Sequence, residues 1–201
     1  WAELNYSPRW STYFLWENGQ RNDDHCERCP QTAAALESIV PMARLPNFSP
    51  TAVFSCLEPR TAIPPHTGEP NTRLIVHLPL IIPPSCSFRV GHQTREWKYG
   101  EAFVFDDSIE HEARNDSGEL RAVLIFDVWN PALSPGECEL VAGLMNGIRN
   151  LSPGTSVRSY LPRRSTTQAC CCGTILKVRT TKMTAMTRTT SPRSEPRSTR
   201  V

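Results

Sequence analysis

Long apolar runs are missing from this chain. Nothing in it approaches the roughly 18 consecutive apolar residues that a membrane-spanning helix needs, and its first residues show no basic segment followed by an apolar one. No membrane span is expected within this chain. Trp1 rather than Met opens the sequence, as in a fragment whose targeting segment lies upstream, so the compartment stays open. Aromatic residues stop at Tyr160. The basic segment beyond it therefore has nothing to stack on bases, and no nucleic-acid partner is expected. Cysteine is present but its zinc patterns are incomplete: Cys26-x-x-Cys29 has neither a second C-x-x-C nor a spaced histidine pair. With Cys56, Cys86, Cys138 and the run Cys170 to Cys172, these read as loop cysteines or one local disulfide. Internal repeats are also absent.

What is present suits one folded domain, since 201 residues with 39% hydrophobic content can close a sizeable core. The net charge of +2 conceals an asymmetry. Residues 161–201 carry nine Lys/Arg against Glu195 alone, which leaves 13 basic and 19 acidic residues in the first 160. A tail of Thr, Ser, Pro and Arg without apolar periodicity cannot bury enough surface to offset its ordering entropy, so disorder is expected over 151–201.

Residues 1–50 read as a helical and aromatic flank. "RWSTYFLWENGQR" (9–21) suits a helix or an irregular packing segment, and "PQTAAALESIV" (30–40) predicts a helix with Pro30 early and Thr32 as a cap. From Thr51 the texture becomes β-rich, with "TAVFSCL", "TRLIVHLPLII", "CSFRV", "REWKY", "EAFVFD" and "LRAVLIFDVW" separated by turn clusters such as "EPRTAIPP" and "NDSGE". Short strands with few helices between them predict a mainly β core over 51–150, an antiparallel sandwich or barrel closed by a helix over 136–148.

One strand-like stretch, "PPHTGEPNTRLIVHLPLII" (64–82), holds more polarity than a packed strand needs. A period of two sends Leu74, Val76, Leu78 and Leu80 to one face and Arg73, Ile75 and His77 to the other, which can line a polar pocket. His66 lies at the start of this strand, and His111 lies at the turn that follows "EAFVFD". Neutral imidazoles brought together at one end of a barrel suit iron, copper or zinc. Arg121 opens the last strand, where its guanidinium can pair with a carboxylate in bidentate fashion or form a surface ion pair with Glu119 or Asp116.

"PHTGEPNTRLIVHLPL", "FDDSIEHEARND" and "LRAVLIFDVWNP", in that order, resemble the catalytic domain of the aspartyl/asparaginyl β-hydroxylases, with the likeness running over residues 9–135. The resemblance implies a double-stranded β-helix, a jelly-roll or cupin-like barrel. It implies an Fe(II)- and 2-oxoglutarate-dependent dioxygenase that uses O2 to hydroxylate the β-carbon of Asp or Asn in a polypeptide, such as an epidermal-growth-factor-like domain. By the same resemblance His66 and His111 are metal ligands and Arg121 takes the distal carboxylate of 2-oxoglutarate. Ser55, His77 and Trp10 complete the cosubstrate pocket, and Arg73 matches an arginine associated with the acidic side chain of the substrate. Gly68 stands two residues after His66, where most such oxygenases carry a carboxylate; glycine there is the family's own pattern. Ile75 departs from the family, which often has Arg-x-Arg before this histidine. A family member would reside in the endoplasmic reticulum lumen or be anchored to its membrane by an upstream segment. Hydroxylation of a lipid acyl chain, or a cupin-like module without turnover, are the competing readings.

Overall fold

The computed structural model describes residues 9–45, 47–151 and 184–186. The chain opens with a hairpin, β1 (Trp10–Glu17) and β2 (Gln20–Arg21), where a helix or irregular segment was expected. The local reason is Asn18-Gly19. Both residues take positive φ, 51° and 81°, the conformation a tight hairpin turn of this hand requires. A Cβ at Gly19 would also crowd the Ser49 carbonyl.

Two short helices follow. In α1 (Asp23–Arg28) the Asn22 side chain accepts from the His25 N–H at 3.1 Å, and Asp23 and Asp24 lie in the first turn, favourable against the helix dipole. In α2 (Pro30–Ile39), Pro30 occupies the start as expected, but Cys29 is the N-cap residue and Thr32 does not cap. Cys26 and Cys29 are buried and packed with Leu15, Trp16 and Leu36, and no disulfide joins them to each other. Cys170 to Cys172 lie outside the described residues.

The β core begins with β3 (Ala52–Leu57), β4 (Thr61–His66) and β5 (Arg73–Ile81), then β6 (Cys86–Val90) and β7 (Gln93–Glu96). It closes with β8 (Phe103–Phe105), β9 (His111–Asn115) and β10 (Arg121–Trp129). Apart from the β6–β7 hairpin, successive strands from β3 to β10 cross between two antiparallel sheets. One contains β8-β5-β10-β3 and is extended by β1 and β2; the other is β4-β9-β6-β7. That alternation of eight strands between two four-stranded layers is a double-stranded β-helix.

Two of these strands were unforeseen. β4 contains Pro64 and Pro65, which argue against a central strand, but β4 is the edge of its sheet, where a missing N–H is tolerated. β9 reads His-Glu-Ala-Arg-Asn and looks like a turn by hydropathy, yet it alternates with His111, Ala113 and Asn115 buried. The stretch 64–82 is thus not one strand: it comprises the end of β4, a turn, and β5.

Between the layers pack Phe14, Val53, Leu57, Phe88, Phe105 and Val123. Complete burial of each aliphatic side chain contributes about 1.5–3 kcal/mol. The closing helix α3 (Pro135–Leu151) is capped reciprocally: Ser134 donates its N–H to Glu137 Oε2 at 2.7 Å, and the Glu137 N–H returns to Ser134 Oγ at 3.4 Å. A last short strand, β11 (Thr184–Met186), pairs in parallel with β8. The disorder expected over 151–201 otherwise falls outside the described residues.

Candidate functional site

His66 ends β4 and His111 begins β9, and the two are direct cross-strand partners. Their ring centroids lie 4.1 Å apart. Each Nδ1 sits against a carbonyl two residues upstream, His66 on Pro64 O at 2.8 Å and His111 on Ile109 O at 2.9 Å. A carbonyl can only accept, so each Nδ1 carries a proton, which leaves Nε2 as the atom that a neutral imidazole would offer to a metal. Burial pushes the His111 pKa down to about 4, with the neighbouring His66 adding to the effect, so His111 is neutral at ordinary pH. No group of three or more His, Cys, Asp or Glu able to hold a metal occurs among the described residues. Glu110 and Glu112, which flank His111, are taken up by Arg89, at 2.9 Å and 2.7 Å.

Gly68 donates its N–H to Asp107 O at 2.7 Å, and a Cβ at residue 68 would overlap the Asp107 carboxylate. That carboxylate is buried and receives Arg73 Nη2 at 3.1 Å. Arg73 Nε also lies 3.9 Å from Asp127 Oδ2, and the same oxygen accepts the Thr51 N–H at 3.0 Å. Burial raises the pKa of both acids, opposed by Arg73, with Asp127 reaching about 6. Arg73 is therefore held between two carboxylates.

Deeper in the barrel, Arg121 is 1% exposed, which rules out the surface ion pair. Its Nη1 donates to Ser55 O at 3.2 Å and Ser55 Oγ at 3.4 Å, and Trp10 Nε1 donates to the same Oγ at 3.0 Å. Its Nε and Nη2 have no hydrogen-bond partner, and no carboxylate pairs with it among the described residues. Burial lowers its pKa to about 10, which leaves it charged at neutral pH. The guanidinium lies over the Trp97 ring, 4.9 Å from its centroid. His77 is buried among Phe88, Phe103 and Phe105 with Nδ1 unpartnered, and burial, reinforced by Arg121, holds its pKa well below the ordinary value.

The structure brings His66 and His111 together, and likewise Trp10, Ser55 and Arg121, with His77 beside Trp97. It adds three residues that carried no role in the sequence reading: Asp107, Asp127 and Trp97. Asp127 had left a signal, a carboxylate inside "VLIFDVW", because such a group is almost never fully buried unless paired. Asp107 and Trp97 left none, because only the fold places them here.

The family profile described as aspartyl/asparaginyl beta-hydroxylase matches residues 2–131. Among curated relatives, the aspartyl/asparaginyl beta-hydroxylase of Mus musculus is 39% identical over 134 residues, covering 63% of this chain and 17% of the mouse protein. The ornithine lipid ester-linked acyl 2-hydroxylase of Rhizobium tropici is 38% identical over 135 residues, 66% of this chain and 46% of that protein. The aspartate beta-hydroxylase domain-containing protein 2 of Homo sapiens is 31% identical over 140 residues, 67% of this chain and 38% of that protein. The chain spans less than half the length of each. With a double-stranded β-helix, a histidine pair at one end of it and a family match over most of the ordered core, the chain belongs to the aspartyl/asparaginyl beta-hydroxylase family.

Proposed function

We propose that this chain is an Fe(II)- and 2-oxoglutarate-dependent dioxygenase that hydroxylates the β-carbon of Asp or Asn side chains in a polypeptide. The observation that carries it is Arg121, a buried cation with two unpartnered donor atoms and no counter-charge among the described residues. Burying an unpaired charge costs several kcal/mol, so such a group points to an anion bound from outside.

The donor set fits a ferrous ion. His66 and His111 would hold it through Nε2, each oriented by the carbonyl behind its Nδ1–H. When bound, ferrous iron with 2-oxoglutarate and O2 supplies the oxidising power for inserting oxygen into a C–H bond, releasing succinate and carbon dioxide. Arg121 Nε and Nη2 would receive the distal carboxylate of the cosubstrate, seconded by Ser55 Oγ, which Trp10 keeps in place. The Trp97 ring supports the guanidinium from one face. His77, neutral and buried, lends a polar edge without adding charge, while Phe88 and Phe105 exclude water around it. Arg73, on the same strand face as His77, would stand toward the acceptor side chain.

A second reading, hydroxylation of a lipid acyl chain, is favoured by Ile75 on the inner face and by the likeness to the acyl 2-hydroxylase of Rhizobium tropici. Anaerobically loaded full chain, given 2-oxoglutarate, O2 and peptides bearing Asp or Asn, should form succinate and leave one added oxygen atom on the peptide. Succinate with an oxidised acyl lipid and untouched peptides would support the second reading; no succinate with either would refute both.

A further inference from the structure

Two arginines lie on the inner face of the barrel, and they stand in opposite electrostatic situations. Arg121 has no carboxylate among the described residues, whereas Arg73 has two, Asp107 and Asp127. One guanidinium between two buried carboxylates leaves a local excess of negative charge. This cluster adjoins the histidine pair, because the Asp107 carboxylate fills the space beside Gly68, two residues from His66.

The strand register adds a second observation. Ile75 lies between Asp127 of β10 and Phe105 of β8 as direct cross-strand neighbours, on the face it shares with Arg73 and His77. The position flanking the carboxylates is therefore apolar and brings no further cation. Within the cluster, Arg73 Nη1 and Nε remain buried donors without a hydrogen-bond partner, and Asp107 Oδ1 and Asp127 Oδ1 buried acceptors without one, so a donor of Arg73 and an acceptor of Asp107 are both open. A carboxylate can satisfy the first but not the second, and it brings negative charge to a place already carrying an excess. A primary carboxamide satisfies both, its oxygen accepting from Arg73 and its NH2 donating to Asp107.

We propose that the acceptor of this chain is the neutral amide side chain of asparagine in a polypeptide, and that Ile75 together with the Arg73–Asp107–Asp127 cluster selects it against aspartate. This rests on the hydroxylase reading above and narrows its substrate. The selection is by difference: an acidic acceptor meets uncompensated like charge, while the amide completes two open hydrogen bonds. Ile75 is the specificity position, since an arginine there would stand directly opposite Asp127 and bring two guanidinium groups against two carboxylates.

The test uses the Fe(II)-loaded full chain with two peptide libraries, identical in randomised flanks and differing only in a central Asn or Asp. Oxygen incorporation is followed by mass spectrometry and succinate is measured in parallel. The expected result is that the Asn library is oxidised at least about tenfold more efficiently than the Asp library, on the scale that unpaired buried polar groups and like charge impose. Ile75→Arg should shift that ratio toward Asp by about tenfold or more while leaving the 2-oxoglutarate requirement unchanged. Equal or better oxidation of the Asp library by the parent chain would overturn the amide selectivity and leave the hydroxylase reading intact. Oxidation of neither library would overturn both. A parent preference for Asn that Ile75→Arg does not move would overturn the assignment of Ile75.

Discussion

The carboxylate of Asp107 occupies the space that a side chain on Gly68 would need. Glycine at this position is thus a packing requirement of the Arg73–Asp107 pair as well as a missing ligand. Installing the usual carboxylate by Gly68→Asp would not simply add a third metal ligand, because the new Cβ collides with a buried, ion-paired group. We expect this change to lower stability by roughly 1–3 kcal/mol through overpacking and to weaken ferrous binding. Gly68→Asp combined with Asp107→Gly should regain part of both losses. Thermal unfolding and anaerobic Fe(II) titration check this; tighter iron binding by the single variant without loss of stability would contradict it.

Arg121→Ala should raise the 2-oxoglutarate requirement far more than the iron requirement. The lost charge-assisted contact is worth about 3–5 kcal/mol when a buried carboxylate is left uncompensated, or ~10²-fold and more in apparent affinity. Because Arg121 has no carboxylate partner among the described residues to strand in the free protein, the same change should leave unfolding stability intact or raise it. Ser55→Ala should be milder, about 1–3 kcal/mol, as for a hydrogen bond to a charged group. Paired titrations of metal and cosubstrate read both effects, and an equal rise in the two requirements would remove Arg121 from the cosubstrate.

Asp127 ties stability to pH. Its folded-state pKa of about 6 lies above the ordinary 3.8, because burial outweighs the attraction of Arg73. The folded state therefore holds this proton more tightly than the unfolded chain, so the Asp127 contribution to stability falls as pH rises from about 4 to about 6 and is level beyond. Asp127→Asn removes that slope and still accepts from the Thr51 N–H. The variant's advantage over the parent should grow from near zero at pH 4 to roughly 2–3 kcal/mol above pH 6, at ~1.4 kcal/mol per pH unit. Chemical unfolding of metal-free protein across this range measures it, and parallel curves for the two proteins would contradict it.

Much of this barrel was legible because its central strands announce themselves. "CSFRV" coincides with β6, and "LRAVLIFDVW" contains β10 within a residue of its bounds. The strands that carry the histidine pair were the illegible ones, and for a shared reason. His66 ends a strand with two prolines, tolerated because it is a sheet edge, and His111 begins one whose inner face is His, Ala and Asn. Strands that line a site trade apolar pattern for chemistry, so hydropathy fades where function begins. The roles came instead from the ordered motifs around His66, His111 and Arg121. What no local pattern held was the company each residue keeps: Asp107 on Arg73 across 34 residues, and Trp97 beneath Arg121. The hairpin at Trp10–Arg21 did have a local signal, since an Asn-Gly turn such as Asn18-Gly19 is the strongest short-range mark of one.

Under the proposed function two imidazoles alone, His66 and His111, bring ferrous iron to this barrel. Anaerobic titration of the full chain with Fe(II) in the presence of 2-oxoglutarate, followed by the weak visible charge-transfer band of the chelated cosubstrate, tests it most directly. A saturable band is expected in the parent chain, lost in His66→Ala and in His111→Ala while both variants keep the parent's β-sheet circular dichroism. A band that persists in either folded variant, or succinate production that survives the loss of either histidine, would contradict it.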